Sequence, residues 1–355
     1  MTGPALTEHE AAAVDAGLIY VSDASPGIRR RRSGRGFTYL DPNGKTIHDP
    51  ELLKRIRGLV IPPAWTEVWI CPDRRGHIQV TARDARGRKQ YRYHPRYRAV
   101  RDETKFERIF EFSEVLPDLR KQVESHLKIE GHKRERVLAL VVRLLEKTLI
   151  RIGNDEYARQ NRSYGLTTLR QRHVEVDGHE LRFEFRGKSG VRHDVTLTDK
   201  RLARIVQHCQ ELPGEELFQY IDDDGRRRSV DSGDINEYLR TLAKGKEITA
   251  KDFRTWMGTM LAAKELRGLG KPTSERQAKR NIVLAVDKVA QRLGNTRAVC
   301  RKYYIHPTIF EAYLKGETVP APVPGEGTRH VEPGMPMLRQ DEAIVLEFLR
   351  THQRD

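Results

Sequence analysis

Cysteine is nearly absent from this chain: Cys71, Cys209 and Cys300 are the only three in 355 residues. They are odd in number, far apart and without a CxxC pair. That excludes a disulfide framework and a thiolate zinc site, and a reducing compartment, the cytoplasm, is expected. No run approaches the roughly 18 apolar residues of a membrane span, so no membrane partner is expected. Residues 1–14 lack the cationic and apolar regions of a secretory signal. Missing too are a GxxxxGK[ST] loop for nucleotide phosphates and a carboxylate cluster suited to Mg²⁺. The expectation is therefore no cofactor and no metal. There is no internal repeat.

Acidic residues are in the minority, 50 against 65 Lys and Arg, giving a net charge of +15. Counterion release on neutralising phosphates rewards such an excess, so a polyanion is the natural partner. The distribution sharpens this: between Arg74 and Arg101 stand ten basic residues and a single acid, Asp84. Arg29, Arg30, Arg31 and Arg32 read as a cationic turn able to touch phosphate anywhere.

Hydrophobic residues make up 37% of the chain, enough for a real core, and the length allows two domains and a tail. Residues 18–104 read as strands and turns, with a turn at Asp41-Pro42-Asn43-Gly44, a hairpin across 72–76 and a short helix near 51–57. From Phe106 the period becomes helical; Val137, Leu138, Val141, Leu144, Leu145 and Leu149 mark a deeply buried helix. A three-stranded meander follows across 173–197, with Lys188 in the glycine-flanked turn Gly187-Lys188-Ser189-Gly190. Helices return at about 199–210, 231–243, 250–267, 275–293 and 297–314, with Thr249 and Ser274 as N-caps. The reading is an α+β protein: a small, mostly β N-terminal domain over 1–104 and a mainly α-helical catalytic domain over 105–317 that carries the meander. Residues 318–355 read as a Pro/Gly-rich linker and disordered tail, apart from a short helix at 341–349.

Several side chains could carry chemistry. Alternation along 86–94 puts Gln90, Arg92 and His94 on one strand face and Lys89, Tyr91 and Tyr93 on the other. Glutamine can pair bidentately with adenine while cations hold phosphates; a basic edge strand that blocks aggregation is the bland alternative. Tyr304 stands nine residues after Asn295 and follows Arg301 and Lys302. A phenol titrates near pKa ~10, and neighbouring cations favour the phenolate nucleophile. Two adjacent tyrosines on a short helix are equally a packing feature. Arg151 at a helix end also serves a helix dipole, Arg254 near a helix start also suits a surface ion pair, Asn295 after Gly294 also suits a helix C-cap, and Lys188 is also an ordinary exposed lysine.

The set, in this order, resembles the type IB DNA topoisomerases, in their compact poxvirus-like and bacterial branch, over roughly residues 20–315. The resemblance rests on Arg151-Ile152-Gly153-Asn154, on Lys188 in its Gly-Lys turn, on Lys251-Asp252-Phe253-Arg254-Thr255 and on Tyr304 nine residues past Asn295. Asn161-Arg162-Ser163-Tyr164-Gly165-Leu166 and Gly87-Arg88-Lys89-Gln90-Tyr91-Arg92-Tyr93 extend it. It implies a catalytic core like that of tyrosine recombinases, and relaxation of supercoiled double-stranded DNA without ATP by a cytoplasmic monomer that closes as a clamp. It implies Tyr304 as the nucleophile forming a 3′-phosphotyrosyl link, and Arg151, Arg254 and Asn295 as donors to the phosphate. Lys188 would be the general acid, and Arg88, Lys89, Gln90, Tyr91, Tyr93 and Lys251 would be DNA contacts. Many relatives have histidine where Asn295 stands; asparagine can donate a hydrogen bond but cannot shuttle a proton. A tyrosine recombinase is the nearest rival, although Lys251 stands where recombinases commonly place histidine. A noncatalytic DNA-architectural protein would explain the charge but not the joint occurrence of Arg151, Lys188, Arg254 and Tyr304.

Overall fold

The computed structural model describes residues 8–34, 36–85, 87, 89–103, 106–322 and 338–352. The chain separates into two compact units, Met1–Glu107 and Arg108–Asp355.

The first unit opens with helix α1 (Glu8–Asp15) and continues through β1 (Ile28–Ser33), β2 (Gly36–Leu40), α2 (Pro50–Gly58), β3 (Thr66–Ile70), β4 (Ile78–Arg83), β5 (Lys89–Tyr93) and α3 (Pro95–Glu103). The strands form one antiparallel sheet in the order β2-β1-β3-β4-β5. The arginine run at 29–32, expected as a turn, is the body of β1, paired to β2 and at Arg29 also to β3. Extended backbone carries alternate side chains to opposite faces, so the like charges are spread rather than stacked. Ile28, Ile56, Val68, Ile70, Val80 and Ala82 form the core between α2 and the sheet. α2 begins with Pro50, whose missing N–H costs nothing in a first turn, behind Asp49, which caps the Glu51 N–H. β5 is an edge strand.

The second unit comprises α4 (Arg108–His126), α5 (Arg134–Thr148), α6 (Asp155–Asn161), the meander β6 (Val174–Asp177), β7 (Glu180–Arg186) and β8 (Arg192–Thr198), and α7 (Lys200–Gln210). A small hairpin, β9 (Gln219–Ile221) and β10 (Arg227–Ser229), precedes α8 (Ser232–Leu242), α9 (Ala250–Leu269), α10 (Glu275–Leu293), α11 (Arg297–Tyr303), α12 (Thr308–Leu314) and α13 (Gln340–His352). Helix α5 is buried nearly all round, as its apolar pattern requires. The single helix expected over 297–314 is two, because Pro307 cannot continue the hydrogen-bond ladder. Tyr304 falls in the break.

The short helix expected at 341–349 is α13, which runs over Gln340–His352. Val345, Leu346, Phe348 and Leu349 of α13 are buried in the main core, and Glu342 reaches inward to Arg120. Arg120 grips Glu342 through two bonds of 2.7 Å and donates from Nε to Glu146 at 2.8 Å; Trp256 Nε1 adds a 3.2 Å bond to Glu342. Residues 323–337 of that expected linker lie outside the described residues.

Candidate active site

Helix α5 ends at Leu149, whose left-handed φ of 59° turns the chain out of the helix. The next segment lies against 165–167: Leu166 N–H donates to Arg151 O at 2.8 Å and Thr167 N–H to Ile152 O at 2.6 Å. A Cβ on Gly165 would meet Arg151 O, Gly153 N and Gly153 Cα at 2.6–2.7 Å. The Ile-Gly and Tyr-Gly steps therefore exist to let two backbones touch, which sets where Arg151 projects.

A second turn meets it. Helix α10 closes on Gly294 in the left-handed conformation, with Asn295 N–H returning to Ala290 O at 3.0 Å. Arg151 donates to Asn295 Oδ1 and, at 3.3 Å, to Gly294 O. Asn295 Nδ2 is shielded from solvent and has no acceptor among the described residues. Burial lowers the Arg151 guanidinium pKa, with Tyr304 and Cys300 acting in the opposite direction.

Arg254, in the second turn of α9, is 3% exposed. Its terminal nitrogens donate to Leu149 O and, at 2.8 Å, to Leu293 O, acceptors that the ends of α5 and α10 leave without helical partners. Each lies two residues before a site residue, Arg151 or Asn295, so Arg254 staples together the turns that deliver them. Its guanidinium carbon stands 5.2 Å from the Tyr304 ring centroid. Burial lowers its pKa, and Tyr304 opposes that. The two carbonyls take one N–H from each terminal nitrogen, while Nε has no acceptor among the described residues.

Tyr304 caps α11 with φ −131° and ψ −1°, its N–H bonded to Cys300 O at 2.9 Å. Its carbonyl is pressed onto Gly258 of α9, where a Cβ would overlap it. Two residues on, His306 N–H donates to Thr259 Oγ1 at 3.1 Å, and His306 Nδ1 accepts from Thr308 N–H at 3.3 Å. Lys188 occupies the tip between β7 and β8, in a turn closed by Gly187 N–H to Val191 O at 2.7 Å.

An open cleft of about 730 Å³ is lined by Arg151, Lys188, His193, Asn295 and Tyr304, among others. Four of the five expected catalytic residues thus share one cavity, and the fifth, Arg254, lies beneath it against the Tyr304 ring. Tyr303 is 37% exposed and outside the cleft lining. His193 was missed by sequence reasoning, since alternation along β8 marks it only as a half-buried strand residue.

Of the expected DNA contacts, Lys89, Tyr91 and Tyr93 do share the outer face of β5, with Tyr91 and Tyr93 stacked at 6.0 Å. Lys89 is paired with Asp23 at 2.6 Å, and this bond raises the Lys89 pKa. Gln90 lies on the other face and donates to Asp84 at 2.9 Å. Lys251 is exposed at the start of α9. Arg88 lies outside the described residues.

Among the described residues, one group offers three potential metal ligands within 4.8 Å of one another: His132, His208 and Glu211. The two imidazoles stack with centroids 4.0 Å and planes 19° apart. Their in-plane lone pairs run side by side and do not converge on an ion.

This collection of cations and a phenol, in a helical unit bearing a three-stranded meander, offers hydrogen-bond donors and a nucleophile to an anionic substrate. Residues 94–318 match the family described as the eukaryotic DNA topoisomerase I catalytic core, and residues 36–84 match the bacterial DNA topoisomerase IB N-terminal domain. A DNA topoisomerase 1B of Acanthamoeba polyphaga mimivirus is 33% identical over 294 residues, covering 81% of this chain and 87% of that protein. The DNA topoisomerase 1B of Vaccinia virus (strain Copenhagen) is 23% identical over 238 residues, covering 64% of this chain and 70% of the viral protein. The chain belongs to the type IB DNA topoisomerases, DNA-binding isomerases.

Proposed function

We propose that this chain relaxes supercoiled duplex DNA, as a monomer and without ATP, through a 3′-phosphotyrosyl intermediate on Tyr304. The observation that carries the reading is the cleft shared by Arg151, Lys188, Asn295 and Tyr304, with Arg254 against the tyrosine ring.

The Tyr304 oxygen attacks the scissile phosphorus and gives up its proton to solvent water in the open cleft. A P–O bond forms to the phenol as the P–O5′ bond breaks, and Lys188 delivers a proton to the departing 5′ oxygen. Charge accumulates on the nonbridging oxygens, where fixed donors stabilise it without a metal. Arg151 is held at the cleft wall for that task. Asn295 has an unspent N–H for the same oxygens, because its Oδ1 is already taken by Arg151. Arg254 contributes its charge from below and holds the two turns in register. The phosphotyrosine conserves the bond energy, so the 5′ hydroxyl reverses the step after the cut strand has swivelled. Lys89, Tyr91 and Tyr93, with Lys251, supply DNA contacts outside the cleft.

The test is incubation with supercoiled plasmid in EDTA without ATP, followed by mapping of the DNA-linked peptide. Relaxation and an adduct on Tyr304 are expected. Tyr304→Phe should abolish the SDS-resistant adduct while Tyr303→Phe keeps it. An adduct that survives Tyr304→Phe refutes the assignment.

A further inference from the structure

We propose that His193 is a positioning residue of this reaction: its imidazole is the wedge that fixes the Lys188 hairpin against the Asn295 turn. The inference rests on the reading of Lys188 and Asn295 given above.

His193 pairs with Phe185 across β7 and β8, and the two rings stack in parallel, 4.9 Å apart with planes 7° from one another. The imidazole edges then meet two glycine backbones. A Cβ on Gly187 would lie 2.6 Å from Cδ2 and Nε2, and one on Gly294 would overlap Cε1. These glycines immediately precede Lys188 and Asn295. The ring is thus the physical spacer between the residue that protonates the leaving group and the residue that holds the phosphate.

Gly187 makes the point most cleanly. Its φ of −94° and ψ of −166° suit any residue, so the backbone does not demand glycine. What a side chain would hit there is His193. Gly187 and His193 are therefore a matched pair. Neither imidazole nitrogen has a hydrogen-bond partner among the described residues, so the ring acts by shape. Burial first, then Arg151 and Arg254, push its pKa below the usual histidine range, which keeps a third cation out of this contact. Lys188 needs such a brace because its turn is closed by backbone bonds alone, and small misplacement of a reacting group is costly.

The test is single-turnover cleavage by full-length His193→Ala, Lys188→Ala, the double variant, and Gly187→Ala with and without His193→Ala. His193→Ala should slow cleavage on the order of 10- to 100-fold, yet add little in the Lys188→Ala background. Gly187→Ala should be harmful alone and largely relieved by His193→Ala, a readout that general loss of folding would not give. Additive losses for His193 and Lys188, or no relief of Gly187→Ala, would overturn the proposal. A 5′-bridging phosphorothiolate substrate, whose thiolate leaves unaided, separates the two readings. If Lys188→Ala loses equally on both substrates, the general-acid role falls, while non-additivity still reports on the wedge.

Discussion

Both terminal nitrogens of Arg254 donate to helix-end carbonyls, those of Leu149 and Leu293. A guanidinium can do this because its donors form a rigid planar fork; an ammonium on a flexible stem cannot hold two acceptors in that geometry. Arg254→Lys should therefore leave a buried carbonyl short of a donor, lowering stability by about 1–3 kcal/mol in urea unfolding. It should also lose the covalent adduct, because the turns bearing Arg151 and Asn295 are no longer tied. Full stability and full activity in the Arg254→Lys variant would contradict the staple. At this scale the sequence pointed to residues that the fold gathers and was silent about what they touch. Arg151, Lys188, Asn295 and Tyr304 were singled out by their joint occurrence and the family resemblance, each being ordinary alone, and the fold brings them to one cleft. His193 was not, because its significance lies in two glycines, one of them at the far end of α10. The role of Arg254 as a bridge between α5 and α10 was equally hidden, for it depends on helix ends that only the fold brings near.

Helix positions followed closely from apolar periodicity, and the meander from its turn residues Asp177-Gly178 and the Lys188 loop. The break between α11 and α12 was missed although Pro307 announces it, because the apolar pattern runs on through Ile305 and Ile309. Within that break lies His306, whose pKa burial depresses to about 4 from 6.5. Above pH 6.5 the ring is neutral whether folded or unfolded. As pH falls from 6.5 toward 4, the unfolded chain takes up the proton first, so folding stability declines across that window, by up to about 3 kcal/mol. His306→Gln should flatten that part of the stability–pH curve, and an unchanged curve would reject the account. For α13 the missing information was the ion pair: nothing in the sequence says that Glu342 meets Arg120. Glu342→Gln removes one of the two carboxylates on Arg120 and leaves Glu146 in place, so it should cost about 1.5–3 kcal/mol in denaturant unfolding. A loss below ~1 kcal/mol would mean that the apolar face of α13 suffices.

For the whole molecule, a net charge of +15 predicts DNA affinity that falls steeply with salt. Measured on Tyr304→Phe protein, replacing a phosphate-contacting cation should flatten the log–log slope by about one. Lys89→Ala should change it by less, because Asp23 already neutralises that ammonium and a phosphate has to displace it. Asp23→Asn should accordingly tighten binding at low salt, and weaker binding would rule out competition. The docking of α13 has a further consequence, in time rather than space. Helices α4 and α9 contribute Arg120 and Trp256, yet their common partner Glu342 is translated 222 residues after the first of them. During synthesis Arg120 has only Glu146 beside it and the indole has no acceptor, so the second unit cannot reach its final packing until α13 has been made.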